Sequence, residues 1–257
     1  MGDVFAVIPA RYGSTRFPGK PLALINGRPM IRWVWEAVRR CRMVERVVIA
    51  TDDARVCECA RGFGAECVMT GECASGTDRV AQVAGGCEHS VILNIQGDEP
   101  LLQPAWIDAL VAPFDRDPAV EMTTLRTVIR DPSEADDPNV VKVVVRQDES
   151  ALYFSRSRIP HPRQAGGLVF KHVGLYGYRR EFLLRFASML PSPLEVAESL
   201  EQLRALEAGA RIAVPALEIL SVAVDRPDDV GRVESILKLA EREPPDAAAA
   251  SQGDSSW

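Results

Sequence analysis

The sequence reads as an α/β protein built on a mostly parallel, doubly wound sheet with helices on both faces. Two observations carry that reading. Short apolar runs alternate with segments of helical periodicity, and each run ends in a loop of Gly, Asp, Ser or basic residues. Residues 4–9 (VFAVIP) suit a buried strand that opens into a loop carrying Arg11, Arg16 and Lys20. Asn26-Gly27 marks a turn, Pro29 suits the first helical position, and Met30, Val34, Ala37, Val38 and Cys41 then share one helix face. Residues 46–51 (RVVIAT) give a second strand; Asp52-Asp53 starts its helix, Gly62 and Gly64 end it, and residues 65–70 follow as an extended segment. Residues 91–96 (VILNIQ) form a third apolar strand, stopped by Gly97-Asp98-Glu99-Pro100, and Pro104 opens a helix through Trp106, Leu110 and Val111. Successive βα units of this kind fold right-handed onto one parallel sheet.

Beyond Glu121 the pattern changes. Strand-like runs at 122–129, 140–146, 151–155 and 171–178 are separated by Pro, Asp and Gly, which predicts an inserted, partly antiparallel, lid-like subregion over about residues 121–180. Helical periodicity returns at 180–189 and 193–208; residues 217–224 read as a last strand and 228–242 as a last helix. Residues 1–243 are thus expected to form a single domain, and residues 244–257 a disordered tail.

The 257 residues are 47% hydrophobic and 26% charged, and one domain of this length needs no disulfide or metal to support its core. A formal net charge of -6 offers no global positive field for nucleic acid. No run approaches the roughly 20 apolar residues that cross a bilayer, and the first residues lack the pattern of a signal peptide. A cytoplasmic protein that engages no membrane is expected. The six cysteines lack a paired CxxC spacing and read as reduced thiols, with a Cys57/Cys59 metal site as the alternative.

The chemistry gathers at strand ends. Arg11, Arg16 and Lys20, the hydroxyls of Ser14 and Thr15, and Gly13 and Gly19 are an inventory for holding a triphosphate; the other reading is a solvated basic turn. Pro21 stands where GxxxxGK[ST] needs a hydroxyl residue, which disfavours a P-loop hydrolase. Ser75-Gly76-Thr77-Asp78-Arg79 precedes a helix and suits either an anion or base at its N-terminus or a plain N-cap. Asp98 ends a buried strand, where a carboxylate needs a positive partner, and magnesium is the natural one. Asp225 follows another apolar run, and a doubly wound sheet can bring it to the same crevice; an N-cap before Pro227 is the alternative.

Together RYGSTRFPGKP (11–21), SGTDR (75–79), QGDEP (96–100), ALYFSR (151–156), HVGLYGY (172–178) and SPLE (192–195) with Glu201-Gln202 resemble, in order, the 3-deoxy-manno-octulosonate (Kdo) cytidylyltransferases. The resemblance runs from about residue 4 to 241. It implies a nucleotidyltransferase-type α/β fold with a sugar-binding and dimerisation subregion, a homodimer, and the reaction of CTP with Kdo to give CMP-Kdo and pyrophosphate, using Mg2+, before assembly of the lipopolysaccharide inner core. It implies that Arg11, Ser14, Arg16 and Lys20 hold the triphosphate, that Ser75, Gly76 and Arg79 lie against the cytidine portion, and that Asp98 and Asp225 bind the metal. Lys20, Arg16, Asp98 and Asp225 would form the catalytic set. Gln96, Arg156, Arg163, His172, Tyr176, Glu201 and Gln202 would face the sugar. Phe17 departs from the smaller aliphatic residue usual there, and His161-Pro162 precedes Arg163 in a short segment.

Elementary chemistry agrees. An anomeric hydroxyl attacking the α-phosphorus needs cations on the departing pyrophosphate and alignment, more than a covalent nucleophile. A sugar carboxylate calls for arginine, with Arg156 or Arg163 the candidates. Glu201-Gln202 sits beside the apolar stripe Leu200, Leu203 and Leu206 and also suits a solvent face, while His172, Tyr176 and Tyr178 also suit one packed strand face. A cytidylyltransferase for an acylneuraminate or a modified eight-carbon acid, and a non-catalytic nucleotide-binding regulator, are the rival functions.

Overall fold

A computed structural model of the chain describes residues 3–13, 16–164, 167–219 and 222–240. The N-terminal half alternates as expected. β1 (Val4–Pro9) leads through a 3-10 turn at Lys20–Leu22 and a small hairpin, β2 (Leu24–Ile25) and β3 (Arg28–Pro29), into α1 (Met30–Arg39). β4 (Arg46–Thr51) is followed by α2 (Ala54–Gly62), β5 (Glu66–Met69) by α3 (Gly76–Ala84), and β6 (Val91–Asn94) by α4 (Pro104–Arg116). The remaining elements are β7 (Met122–Val128), α5 (Pro132–Asp136), β8 (Lys142–Val145), β9 (Ala151–Ser155), β10 (Phe170–Arg179), α6 (Arg180–Ala187), α7 (Pro193–Glu198), α8 (Gln202–Glu207), β11 (Ile212–Ala213) and α9 (Pro227–Ala240).

The main sheet runs β11-β7-β10-β6-β1-β4-β5. β6, β1, β4 and β5 pair in parallel, β10 lies antiparallel to both β6 and β7, and β11 is parallel to β7. The hairpin of β8 and β9 attaches to β10. The region read as an insertion therefore contributes β7 and β10 to the central sheet.

The alternation of β1 explains the two layers of core. Val4, Ala6 and Ile8 belong to one cluster with Ile31 and Val34 of α1, Val56 and Ala60 of α2, and Trp106, Ile107 and Leu110 of α4. Phe5 and Val7 belong to the other, with Val80 and Ala84 of α3, Phe182, Leu183 and Phe186 of α6, and Leu203 of α8. Each fully buried Ile, Leu, Phe or Val side chain contributes about 1.5–3 kcal/mol before entropy is subtracted, so both faces must be covered for the sheet to persist.

Three local expectations need correction. Pro29 ends β3 as the residue before α1, with ψ 136, and Met30 bonds back to Ala23 O at 2.8 Å. The expected helix at 193–208 is broken: a capping box at Ser192 and Glu195 starts α7, Ser199 turns left-handed at φ 51, and α8 follows. The expected strand at 217–224 is absent among its described residues. Its described residues meet β7 through hydrogen bonds from Leu217 N to Arg126 O at 3.0 Å and from Ile219 N to Thr127 Oγ1 at 3.2 Å. The apolar residues of that run divide: Ile219 and Leu217 pack with the first cluster, whereas Val222 and Val224 fill a third with Ile25, Met30, Leu101 and Val233 of α9. Residues 244–257 lie outside the described residues.

Candidate active site

The loop after β1 is held by its own backbone. Gly19, left-handed at φ +73, bonds to Tyr12 O at 2.9 Å, and its missing Cβ leaves room for the Tyr12 ring, 3.1 Å from where that atom would be. The turn this closes begins the 3-10 turn at Lys20, whose side chain is 15% exposed. At the end of β6, Gly97 presses against Pro9 O and Ile31, so the chain carrying Asp98 passes directly over the end of β1. Val224 N donates to Asp98 O at 3.0 Å, which ties the segment bearing Asp225 to the same loop.

These anchors bring the two acidic residues together. Lys20 Nζ lies 2.7 Å from Asp98 Oδ2 and 3.3 Å from Asp225 Oδ1, and Arg16 Nη1 lies 3.4 Å from Asp225 Oδ2. The Asp225 carboxylate takes no hydrogen bond from the first described amides of α9; instead Asp229, in the first turn, reaches back with Oδ2 to accept from the amides of Asp225 and Arg226 at 2.9 and 2.8 Å. The carboxylate of Asp225 is thereby left to the cleft.

Arg11, Arg16, Lys20, Ser75, Gly76, Arg79, Gln96, Asp98 and Asp225 all line one cleft of about 280 Å³. Ser14 lies outside the described residues. Ser75 caps α3, accepting from Asp78 N while Asp78 accepts from Ser75 N, each at 3.0 Å. The capping and cleft-lining readings of Ser75 thus coexist. Arg79 is buried and pinned: its guanidinium donates to Asp52 Oδ2 at 2.6 Å and to the Thr70 hydroxyl, so it forms part of the cleft wall.

A second group of predicted residues forms a polar and aromatic network beside the cleft. Gln96 Nε2 donates to Asn94 Oδ1 at 2.9 Å, Asn94 Nδ2 to Thr77 Oγ1 at 3.4 Å, and Thr77 Oγ1 to Glu201 Oε2 at 2.7 Å. Tyr176, paired across the sheet with Asn94, donates its hydroxyl to Gln202 Oε1 at 3.4 Å, and its ring stands 5.5 Å from that of His172. The break between α7 and α8 makes this possible. Gln202, far from facing solvent, is 2% exposed with Nε2 unpartnered, and Glu201 reaches back to the N-terminus of α3. His172 shares a 2.8 Å hydrogen bond with Thr124 Oγ1, and burial pushes its imidazole down to about 3, so it is neutral at physiological pH. Burial likewise raises the Tyr176 phenol and the Glu201 carboxyl; for Glu201 the hydrogen bond from Thr77 and the charge of Arg204 oppose the rise.

Two predicted residues stand apart from this network. Arg156 donates Nε to Glu198 O at 2.6 Å, Nη1 to Pro138 O at 3.0 Å and Nη2 to Ser199 O at 3.2 Å, which binds the loop before β8 to the junction of α7 and α8. Arg163 is exposed in the segment between β9 and β10. Sequence reasoning missed Thr77 and Asn94 as links between the two groups, and Asp52 as the partner of Arg79. The signal was present: Asn94 is a polar residue inside an apolar strand, 1% exposed. The six cysteines are free thiols.

The cytidylyltransferase family model matches residues 5–212. A 3-deoxy-manno-octulosonate cytidylyltransferase of Syntrophotalea carbinolica is 50% identical over 247 residues, covering 92% of this chain and 99% of that protein. The chain belongs to the 3-deoxy-manno-octulosonate cytidylyltransferase family. A member from Myxococcus xanthus is 50% identical over 237 residues, covering 91% of this chain and 96% of the relative. Among solved structures, a CMP:2-keto-3-deoxy-manno-octonic acid synthetase complexed with CTP superposes with a TM-score of 0.89 at 42% identity, over 92% of this chain and 99% of the other. No helix among the described residues is long and apolar enough to cross a membrane.

Proposed function

We propose that this chain transfers the cytidylyl group of CTP to Kdo, forming CMP-Kdo and releasing pyrophosphate. The observation that carries the reading is the convergence of Lys20, Arg16, Asp98 and Asp225 on the cleft that Ser75, Gly76 and Gln96 also line, in a member of this family. The cationic loop with Arg11, Arg16 and Lys20 takes the triphosphate and compensates the charge that develops on the departing pyrophosphate. Glu201, Gln202, Tyr176, His172 and Gln96 orient the sugar's hydroxyls; Arg156, its guanidinium held by three backbone carbonyls, braces the junction of α7 and α8, and the exposed Arg163 is left as the arginine for the carboxylate.

Asp98 and Asp225 suit Mg2+: both offer hard oxygen donors, and the two carboxylates already converge on one cation. The described residues contain no cluster of three or more His, Cys, Asp or Glu, so an ion held here takes further ligands from phosphate oxygens and water. When bound, Mg2+ polarises the phosphate and neutralises its charge. The same reading makes the chain a cytoplasmic homodimer that supplies CMP-Kdo to lipopolysaccharide inner-core assembly.

The test is pyrophosphate release with Mg2+ across nucleoside triphosphates and sugar acids. CTP with Kdo is expected to support turnover. Turnover with N-acetylneuraminate in place of Kdo moves the reading to the acylneuraminate enzymes. CTP binding in calorimetry without any CMP-sugar makes the chain a nucleotide-binding regulator.

Thr77 adds a sharper prediction, because its buried hydroxyl links the helix N-terminus at the cleft to Glu201. Thr77→Val keeps the shape and removes the donor. It is expected to lower kcat/KM for Kdo about tenfold, the scale of losing a hydrogen bond to a charged group, with KM for CTP nearly unchanged. Thr77→Ser should restore it. Equal losses toward both substrates would assign Thr77 to packing alone.

A further inference from the structure

Lys20 sits between the two carboxylates that the reading above assigns to the metal. A single ammonium serves both, at 2.7 Å from Asp98 and 3.3 Å from Asp225, on a side chain 15% exposed. Two apposed carboxylates repel unless a cation lies between them. A lysine ammonium, a compact charge with three donors, can be shared between two acceptors. Arg16 is the weaker neighbour: it reaches only Asp225, at 3.4 Å, and its side chain is 64% exposed. The backbone at Lys20 is set by the Gly19 turn and by Pro21, so movement of the ammonium is confined to its own side-chain torsions.

Resting on the assignment of Asp98 and Asp225 to the metal, we propose that Lys20 is an internal competitor for that site. In the free protein its ammonium holds the carboxylate pair and suppresses cation binding. A triphosphate entering the cleft draws the ammonium onto its own oxygens and releases the pair. Nucleotide and divalent ion therefore bind with positive coupling that passes through one side chain, and the coupling is reciprocal. The free protein is kept from loading with metal before the nucleotide arrives, and the carboxylates stay preorganised without an ion.

The experiment titrates Mn2+ alone, without nucleotide, into the full chain, and follows free Mn2+ by electron paramagnetic resonance. Lys20→Met and Lys20→Gln are compared with the wild type, and circular dichroism verifies the fold of each. Both variants are expected to bind Mn2+ about tenfold or more tightly than the wild type, the scale of removing a competing partner from a partly exposed pair. Adding Asp98→Asn to either should abolish the gain. Unchanged or weaker Mn2+ binding in both variants overturns the proposal. A parallel titration with CTP present separates the two levels. If Asp98→Asn weakens Mn2+ uptake there while neither Lys20 variant gains affinity alone, the metal site stands and the competition fails. If Asp98→Asn changes nothing in either titration, the metal assignment fails and takes the competition with it.

Discussion

Lys20→Ala is expected to lower turnover at saturating CTP and Kdo by about 10²–10³-fold, the scale on which a preorganised charge-stabilising donor acts. The reason is positional. The left-handed Gly19 and the 3-10 turn aim a largely buried lysine into the cleft, where its ammonium already meets two carboxylates and stands ready for phosphate oxygens. Because the Gly19 turn and Pro21 fix the backbone before substrate binds, only the side-chain torsions of Lys20 change as its ammonium passes from the carboxylates to the phosphate oxygens. Stability should change less than activity, since partly exposed ion pairs contribute roughly 0–1 kcal/mol each. The check is kcat from coupled pyrophosphate release, with heat unfolding run in parallel. Near-normal kcat would remove Lys20 from the catalytic set.

Asp98→Asn and Asp225→Asn should each raise the Mg2+ concentration for half-maximal activity and lower the maximal rate. Loss of an outer-shell partner typically costs metal sites about 10–100-fold in affinity or activity, and a direct ligand should cost at least as much. The two residues come from distant parts of the chain but meet at one ammonium, so the double variant tests whether they act as one site. Its loss should fall short of the product of the two single losses, as for groups that hold a common ion. A Mg2+ titration unchanged in either single variant counts against a shared site.

Much of this architecture was legible in the chain itself. The apolar runs at 4–9, 46–51 and 91–96 correspond to β1, β4 and β6, because strands covered by helices on both faces must be apolar on both sides. The cationic loop after β1 and the Gly-Asp-Glu-Pro stop after β6 were visible because ligand loops gather at the carboxyl ends of such strands. The late segments were harder to read. The run at 217–224 has the composition of a strand, yet its valines pack beneath α9, and composition does not distinguish a ladder from a plug. The helix expected at 193–208 breaks at Ser199, a residue whose left-handed backbone carries no compositional mark. That break decides whether Glu201 and Gln202 face water or the sheet.

The order of strands and helices in the N-terminal half, the chemistry of the β1 loop and the family resemblance all follow from local patterns and motifs, since each depends on residues near one another in the chain. The meeting of Asp98 with Asp225, the pinning of Arg79 by Asp52, and the line from Gln96 through Asn94 and Thr77 to Glu201 depend on contacts between residues remote in sequence. Such contacts are set by how the parallel strands stack, by one backbone hydrogen bond from Val224 to Asp98, and by the turn at Ser199. No periodicity encodes them, because their geometry exists only once both faces of the sheet are covered.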